Sequence, residues 1–178
     1  LQALAFEVLA DEATHEDPYV RSELVLELAR ASGPTGMAGG QMMDLVAEGE
    51  TFDLPTTTRL QQLKTGALIG FAIEAGAIMG KASADNRVKL RGYARDLGLA
   101  FQIADDLLDA EGDSRRTGKA VRKDAGAGKA TFVSLLGIER ARKQAEMLID
   151  QAIGHLHGFG QSADLLRAIA RFAIERDR

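Results

Sequence analysis

The chain of 178 residues contains no cysteine, which removes disulfides, cysteine-type zinc sites, iron–sulfur clusters and thiol nucleophiles from consideration. That composition agrees with a cytoplasmic setting. Basic charge is not in excess either: 26 Asp and Glu stand against 22 Lys and Arg, for a net charge of −4, so nucleic acid is not expected as a general partner. Long apolar runs are missing. The longest weakly polar stretch, residues 65–80, is interrupted by Glu74 and falls short of the roughly 20 apolar residues a membrane span requires. The opening LQALAFEVLADEA has neither the basic start nor the cleavage pattern of a secretion signal. Strand-like alternation, internal repeats and linker-like stretches are absent as well.

Apolar residues recur at three- and four-residue spacing along nearly the whole length, which predicts an all-α fold within a single domain spanning 1–178. The expected helices are 1–12, 18–31, 36–49, 56–81, 85–111, a short one near 131–136, 137–158 and 161–176. Punctuation supports the breaks: Pro18 follows Asp17, Gly33 and Pro34 split ASGPTG, and Pro55 precedes Thr56, Thr57 and Thr58, read here as helix-start residues. The amphipathic pattern Leu1, Leu4, Ala5, Val8, Leu9 begins with no capping residue before it, as though mid-helix. Two central segments are rich in glycine, at 66, 70, 76 and 80 and then at 92 and 98. Each such residue costs a helix about 1 kcal/mol against Ala, so close helix packing or a lined cavity is implied.

The segment LGLAFQIADDLLDAEGD is the most informative. On a helix, Gln102 precedes Asp105 and Asp106 by three and four residues, and Asp109 follows them by the same steps, so all four are expected on one side. Leu99, Ile103 and Leu107 fall opposite. Three carboxylates near a helix C-terminus repel one another and oppose the macrodipole, so a cation is expected. Magnesium suits them, because it takes one or two carboxylates and completes its shell with water and phosphate oxygens. A solvated acidic helix end is the alternative reading of the segment. Directly downstream, DSRRTGKAVRKDAGAGKA carries Arg115, Arg116, Lys119, Arg122, Lys123 and Lys129 against Asp113 and Asp124, a basic loop of the kind that grips polyphosphate oxygens. Its AGAGKAT end is not a P-loop: Lys123 replaces the first glycine and Ala130 the hydroxyl residue. Upstream, Lys64 lies on the stripe Leu60, Lys64, Leu68, Phe71, Ala75, Ile78, where it must snorkel, shift its pKa or meet an anion. Thr65 adds a hydroxyl, and GMAGGQMMDL sets Gln41 and Asp44 three apart on one helix face. His155 and His157 diverge on a helix and are not expected to pair on a metal.

Taken in order, GGQMMDL, KTGALI, GLAFQIADDLLD, GDSRRTGK and GKATF closely resemble the trans-isoprenyl diphosphate synthases (polyprenyl synthetases), most of all the short-chain bacterial farnesyl diphosphate synthase type. The resemblance covers the chain essentially from end to end. It implies a helical bundle of the class I terpenoid synthase type and a prenyltransferase that joins isopentenyl diphosphate to an allylic diphosphate with Mg2+, Mn2+ being the alternative. By the same resemblance Asp105, Asp106 and Asp109 hold the metal. Lys64, Thr65, Gln102, Lys119 and Lys129 contact the allylic diphosphate. Phe101 flanks the isopentenyl site, Asp124 supports the basic loop, and Gln41 and Asp44 lie nearby at the substrate. A homodimer is implied too, with Leu4, Val8, Leu24 and Leu28 offering apolar stripes that fit either an interface or a core. The family's earlier aspartate-rich motif, the arginine after it and the basic isopentenyl-diphosphate site have no counterpart here. The expectation is therefore a C-terminal portion of a synthase that is inactive alone. A non-catalytic partner subunit and a terpene cyclase are the competing readings.

Overall fold

The computed structural model describes residues 1–47, 52–117 and 130–176, with the backbone alone described for 112–117. Among the described residues every regular element is helical: α1 (Gln2–Ala10), α2 (Pro18–Ser32), α3 (Met37–Val46), α4 (Leu54–Gln61), α5 (Ala67–Met79), α6 (Ala84–Thr117), α7 (Phe132–Leu136), α8 (Ile138–His155) and α9 (Asp164–Glu175). A π-helical turn, Gln62–Gly66, joins α4 to α5, and a 3-10 segment, His157–Ala163, precedes α9. No helix among the described residues is long and apolar enough to cross a membrane.

Helix starts follow local chemistry. Asp17 caps α2 by accepting from the Tyr19 N–H at 3.0 Å, with Pro18 in the first turn. That bond, followed by one from Lys81, holds the Asp17 carboxyl below the usual range. The expected start of the fourth helix at residue 56 needs correction: Asp53 is the cap, accepting from the Thr56 N–H at 2.9 Å, and α4 begins at Leu54. The three threonines are already inside the helix. Thr131 and Ser134 form a reciprocal capping box at α7.

The core is built on α6. Tyr93, Leu97, Ala100, Ile103 and Leu107 are buried there against Ala141, Ala145, Leu148, Ile149 and Ala152 of α8, with Phe132, Leu156, Ala170 and Ala173 completing the cluster. Alanines facing α6 let the two long helices approach closely. The Tyr93 hydroxyl donates to the Leu166 carbonyl at 2.7 Å, and burial pushes the phenol up to about 12. Leu99, expected on the fully apolar side with Ile103 and Leu107, is only partly buried. A smaller cluster of Val20, Leu24 and Ile78 ties α2 to α5. It divides the proposed interface stripe, since Leu24 and Leu28 are core residues whereas Leu4 and Val8 are exposed.

Candidate active site

The expected single helix over 56–81 is interrupted where the chemistry lies. At Gln62–Gly66 the backbone widens into a π turn, a form that is rare and concentrates at functional positions. Two glycines allow neighbours to press against it. A Cβ on Gly40 of α3 would fall 2.3 Å from the Lys64 nitrogen and 2.6 Å from its Cα, and one on Gly98 of α6 would lie 3.3 Å from Gly66 Cα. Any larger residue at Gly40 collides with backbone.

This packing sets two polar contacts side by side. Lys64 Nζ donates to Asp44 Oδ2 at 2.8 Å, the two side chains being 35% and 15% exposed. The inward lysine thus meets an anion. Thr65 Oγ1 donates to Gln102 Oε1 at 3.2 Å, linking the turn to α6. Gln41, on the same helix as Asp44, is exposed and takes no part in the Lys64 pair.

The acidic cluster divides. Asp105 is 49% exposed at its side chain and accepts from Arg176 Nη2 at 2.5 Å. Arg176 stacks its guanidinium 4.0 Å from the centre of the Phe101 ring, so Phe101 serves as the platform for the cation that reaches Asp105. Asp106 is buried and turned elsewhere: its Oδ2 accepts from the Phe132 N–H at 2.7 Å, capping the start of α7. Asp109 is exposed one turn beyond Asp105. The three carboxylates thus differ in exposure, Asp105 and Asp109 meeting solvent while Asp106 is buried with one oxygen on α7. Lys119, Asp124 and Lys129 lie outside the described residues.

Among the described residues no three acidic or histidine side chains converge as a metal cluster. A divalent ion of magnesium type asks for less, one or two carboxylates with water or phosphate on its other positions. Asp105 and Asp109, hard oxygen donors four residues apart on one helix face and open to solvent, satisfy that demand.

Three groups that sequence reasoning passed over are now visible. Arg176 stands 71 positions from Asp105, so no local pattern joins them. Glu74, noted earlier only as a break in an apolar run, is buried and accepts from Arg87 Nε at 2.7 Å and Arg91 Nη1 at 2.9 Å. Arg87 also reaches Glu23 at 2.7 Å, and its hydrogen bonds to Glu23 and then Glu74 raise its guanidinium above the ordinary value. His155 Nε2 lies 3.1 Å from the buried Asp96 Oδ2, against Gly92, while Arg95 Nε donates to the other Asp96 oxygen at 2.9 Å. Both networks tie helices together, and Glu74, Arg87, Arg91 and Arg95 also line a cavity of about 440 Å³ that reaches Gln62 and Gly66 of the π turn.

Comparison with known proteins locates this arrangement. The profile of the family described as Polyprenyl synthetase matches residues 1–171. Farnesyl diphosphate synthase of Escherichia coli (strain K12) is 42% identical over 186 aligned residues, covering 100% of this chain and 61% of that protein. The crystal structure of an FPP/GFPP synthase from Zymomonas mobilis in its apo form is 61% identical, with a TM-score of 0.86 over 97% of this chain and 57% of that one. A geranyltransferase from Helicobacter pylori, solved in complex with magnesium and isoprenyl diphosphate, is 27% identical with a TM-score of 0.78. The chain thus spans about three fifths of the length of these relatives.

Proposed function

The chain belongs to the polyprenyl synthetase family, and from that premise we propose that residues 1–178 form the diphosphate-handling side of a prenyltransferase domain. The enzyme would condense isopentenyl diphosphate with dimethylallyl or geranyl diphosphate. The product proposed is a short-chain prenyl diphosphate, farnesyl diphosphate by likeness to the E. coli relative. The observation that carries the proposal is the Thr65–Gln102 hydrogen bond, which joins the π turn bearing Lys64 to α6 about one helical turn before Asp105.

Such a condensation begins with loss of diphosphate from the allylic carbon, and negative charge builds on the departing oxygens. Preorganised donors at that position lower the barrier, because they need no reorganisation as the charge develops. Lys64 spends one N–H on Asp44 and keeps two for diphosphate oxygens. Asp44 fixes the ammonium in place. Thr65 donates its one hydroxyl hydrogen to Gln102 Oε1 and so orients that amide, whose nitrogen retains its two donors. Lys119 and Lys129 are assigned to the same diphosphate by sequence similarity, with Asp124 steadying their loop and Phe101 bordering the isopentenyl pocket. Gln41 is assigned to the substrate rim. Asp105 and Asp109 would hold Mg2+, with Mn2+ as the substitute, and Asp106 would support them from its bond to Phe132; the ion would supply positive charge opposite the leaving group. No protein nucleophile is called for: the isopentenyl double bond attacks the allylic cation and a proton then leaves, the released diphosphate being the base at hand. That agrees with a chain lacking cysteine. The magnesium and isoprenyl diphosphate named for the H. pylori relative support this reading.

The same reading places the protein in the cytoplasm as a homodimer, for which exposed Leu4, Val8 and Leu26 on α1 and α2 supply apolar surface.

The test is a chimera in which residues 1–178 replace the corresponding part of the E. coli enzyme, incubated with isopentenyl and dimethylallyl diphosphates and Mg2+. A prenyl diphosphate that forms only when both substrates are present is the expected result. Consumption of the allylic substrate without isopentenyl diphosphate would indicate a cyclase. A chimera that melts normally yet makes no product refutes the reading.

A further inference from the structure

Arg176 and Asp105 carry an inference that rests on the proposed metal site and goes beyond it. Arg176 is held on three sides. Its Nη2 donates to Asp105 Oδ1 at 2.5 Å, its guanidinium lies 4.0 Å from the Phe101 ring centre, and its side chain is only 16% exposed. A loose surface pair would be solvated at both ends; here the cation is mostly enclosed and the carboxylate is half open. The enclosure is nevertheless incomplete in chemistry, because Arg176 Nε is buried and has no hydrogen-bond partner among the described residues. An unpaired buried donor makes a pose less favourable than its contacts suggest.

Asp105 has no other recorded partner among the described residues. A divalent ion taking an Asp105 oxygen sits at roughly 2.1 Å from it, which puts two positive groups on one carboxylate with the guanidinium at hydrogen-bond range. Like charges this close oppose each other strongly in a partly enclosed site. The two cations therefore compete. Arg176 also stands just past α9, with φ −64° and ψ 141°, and its N–H bonds back to the Phe172 carbonyl at 3.1 Å. Its side chain can swing off Asp105 without disturbing the helix.

We propose that Arg176 is a resident counter-ion, seated on Phe101, that occupies Asp105 in the metal-free protein and must yield for a divalent ion to bind there. It acts through Asp105 and is a positioning residue. In this role it lessens the repulsion of the acidic helix end when no metal is present and sets the concentration at which the ion enters.

The experiment measures Mn2+ binding directly, by electron paramagnetic resonance of the free ion, without substrate. Wild type, Arg176→Gln, Arg176→Lys and Asp105→Asn are compared, with thermal melts in the presence of chelator. Removing one partly exposed charge should tighten Mn2+ about fivefold to tenfold in Arg176→Gln, lower the metal-free melting temperature and enlarge the rise on adding Mn2+. Arg176→Lys, which keeps the charge, should stay near wild type in affinity. Asp105→Asn should weaken binding in both the wild-type and Arg176→Gln backgrounds. Unchanged or weaker binding in Arg176→Gln, with Asp105→Asn still impaired, overturns the counter-ion role and leaves the metal site standing. Indifference of Mn2+ binding to Asp105→Asn removes the metal site and the counter-ion role together.

Discussion

Replacing Asp105 and Asp106 in turn by Ala separates two neighbours that look equivalent in sequence. Asp106 is buried and receives the Phe132 N–H at 2.7 Å, and Phe132 is itself a core residue. Truncation to Ala leaves that N–H without its acceptor. An unsatisfied buried donor costs about 1–3 kcal/mol, so we take about 2 kcal/mol for Asp106→Ala. For a domain of this size each kcal/mol moves the melting temperature by about 2–4 °C, which gives a fall of about 4–8 °C. Asp105, by contrast, is half exposed and, among the described residues, pairs with Arg176. The pair meets water on its carboxylate side, so we take about 1 kcal/mol for Asp105→Ala, the upper end for pairs in contact with solvent, and a melt lowered by about 2–4 °C. Function should order the other way. Removing a group that stabilises developing charge costs about 100- to 1,000-fold in rate, so Asp105→Ala in the active chimera should lose at least about 100-fold in kcat. Asp106→Asn keeps an oxygen for Phe132 and should recover much of the stability lost in Asp106→Ala. Differential scanning calorimetry beside a coupled diphosphate-release assay reads both. Equal melting temperatures for the two alanine variants, or full activity in Asp105→Ala, would refute the division of labour drawn here.

Gly40→Ala should destabilise by about 1–3 kcal/mol through overpacking and raise KM for the allylic substrate, since the new methyl meets the Lys64 backbone; melts and steady-state kinetics check both halves. Glu74→Gln removes the charge shared by Arg87 and Arg91 and should lower stability by about 1–3 kcal/mol, less than a fully buried pair because Arg91 is largely in water; a double-mutant cycle with Arg87→Met should then show coupling. The Asp17 carboxyl, held low by the Tyr19 N–H, contributes to α2 above its unfolded value and loses that contribution as pH falls through its folded one. Asp17→Asn should accordingly flatten the acid limb of the stability profile, measured by denaturant melts between pH 2 and 6.

The sequence is legible where structure repeats with the helix. Ile103 and Leu107 follow the 3.6-residue period into the core, and Asp17–Pro18 announces a helix start. Legibility ends where contacts cross the chain. Nothing near Asp105 foretells Arg176, and nothing near Glu74 foretells Glu23 and Arg87, since ion pairs between distant helices leave no periodic trace. The burial of Asp106 is hidden for the same reason: helix geometry sets the direction of its Cβ, but the N–H it meets belongs to Phe132. At α4 the helix-start chemistry of Thr56, Thr57 and Thr58 points two residues past the true start, because the cap is Asp53.

The wide turn at Gln62–Gly66 also constrains how this part of the chain can change in length. A π turn carries one residue more than the α-helix it interrupts, so α5 is rotated by about 100° relative to an unbroken continuation of α4. Deleting any one residue of QLKTG would close the turn into ordinary helix, and local helical propensity would improve. The same deletion would swing α5 out of phase with Gly98 of α6, carry Ile78 away from Val20 and Leu24 of α2, and part Lys64 from Asp44 or Thr65 from Gln102. An insertion of one residue would do the reverse. Length variation in this stretch is thus barred in both directions, although substitutions of exposed residues beside it cost little.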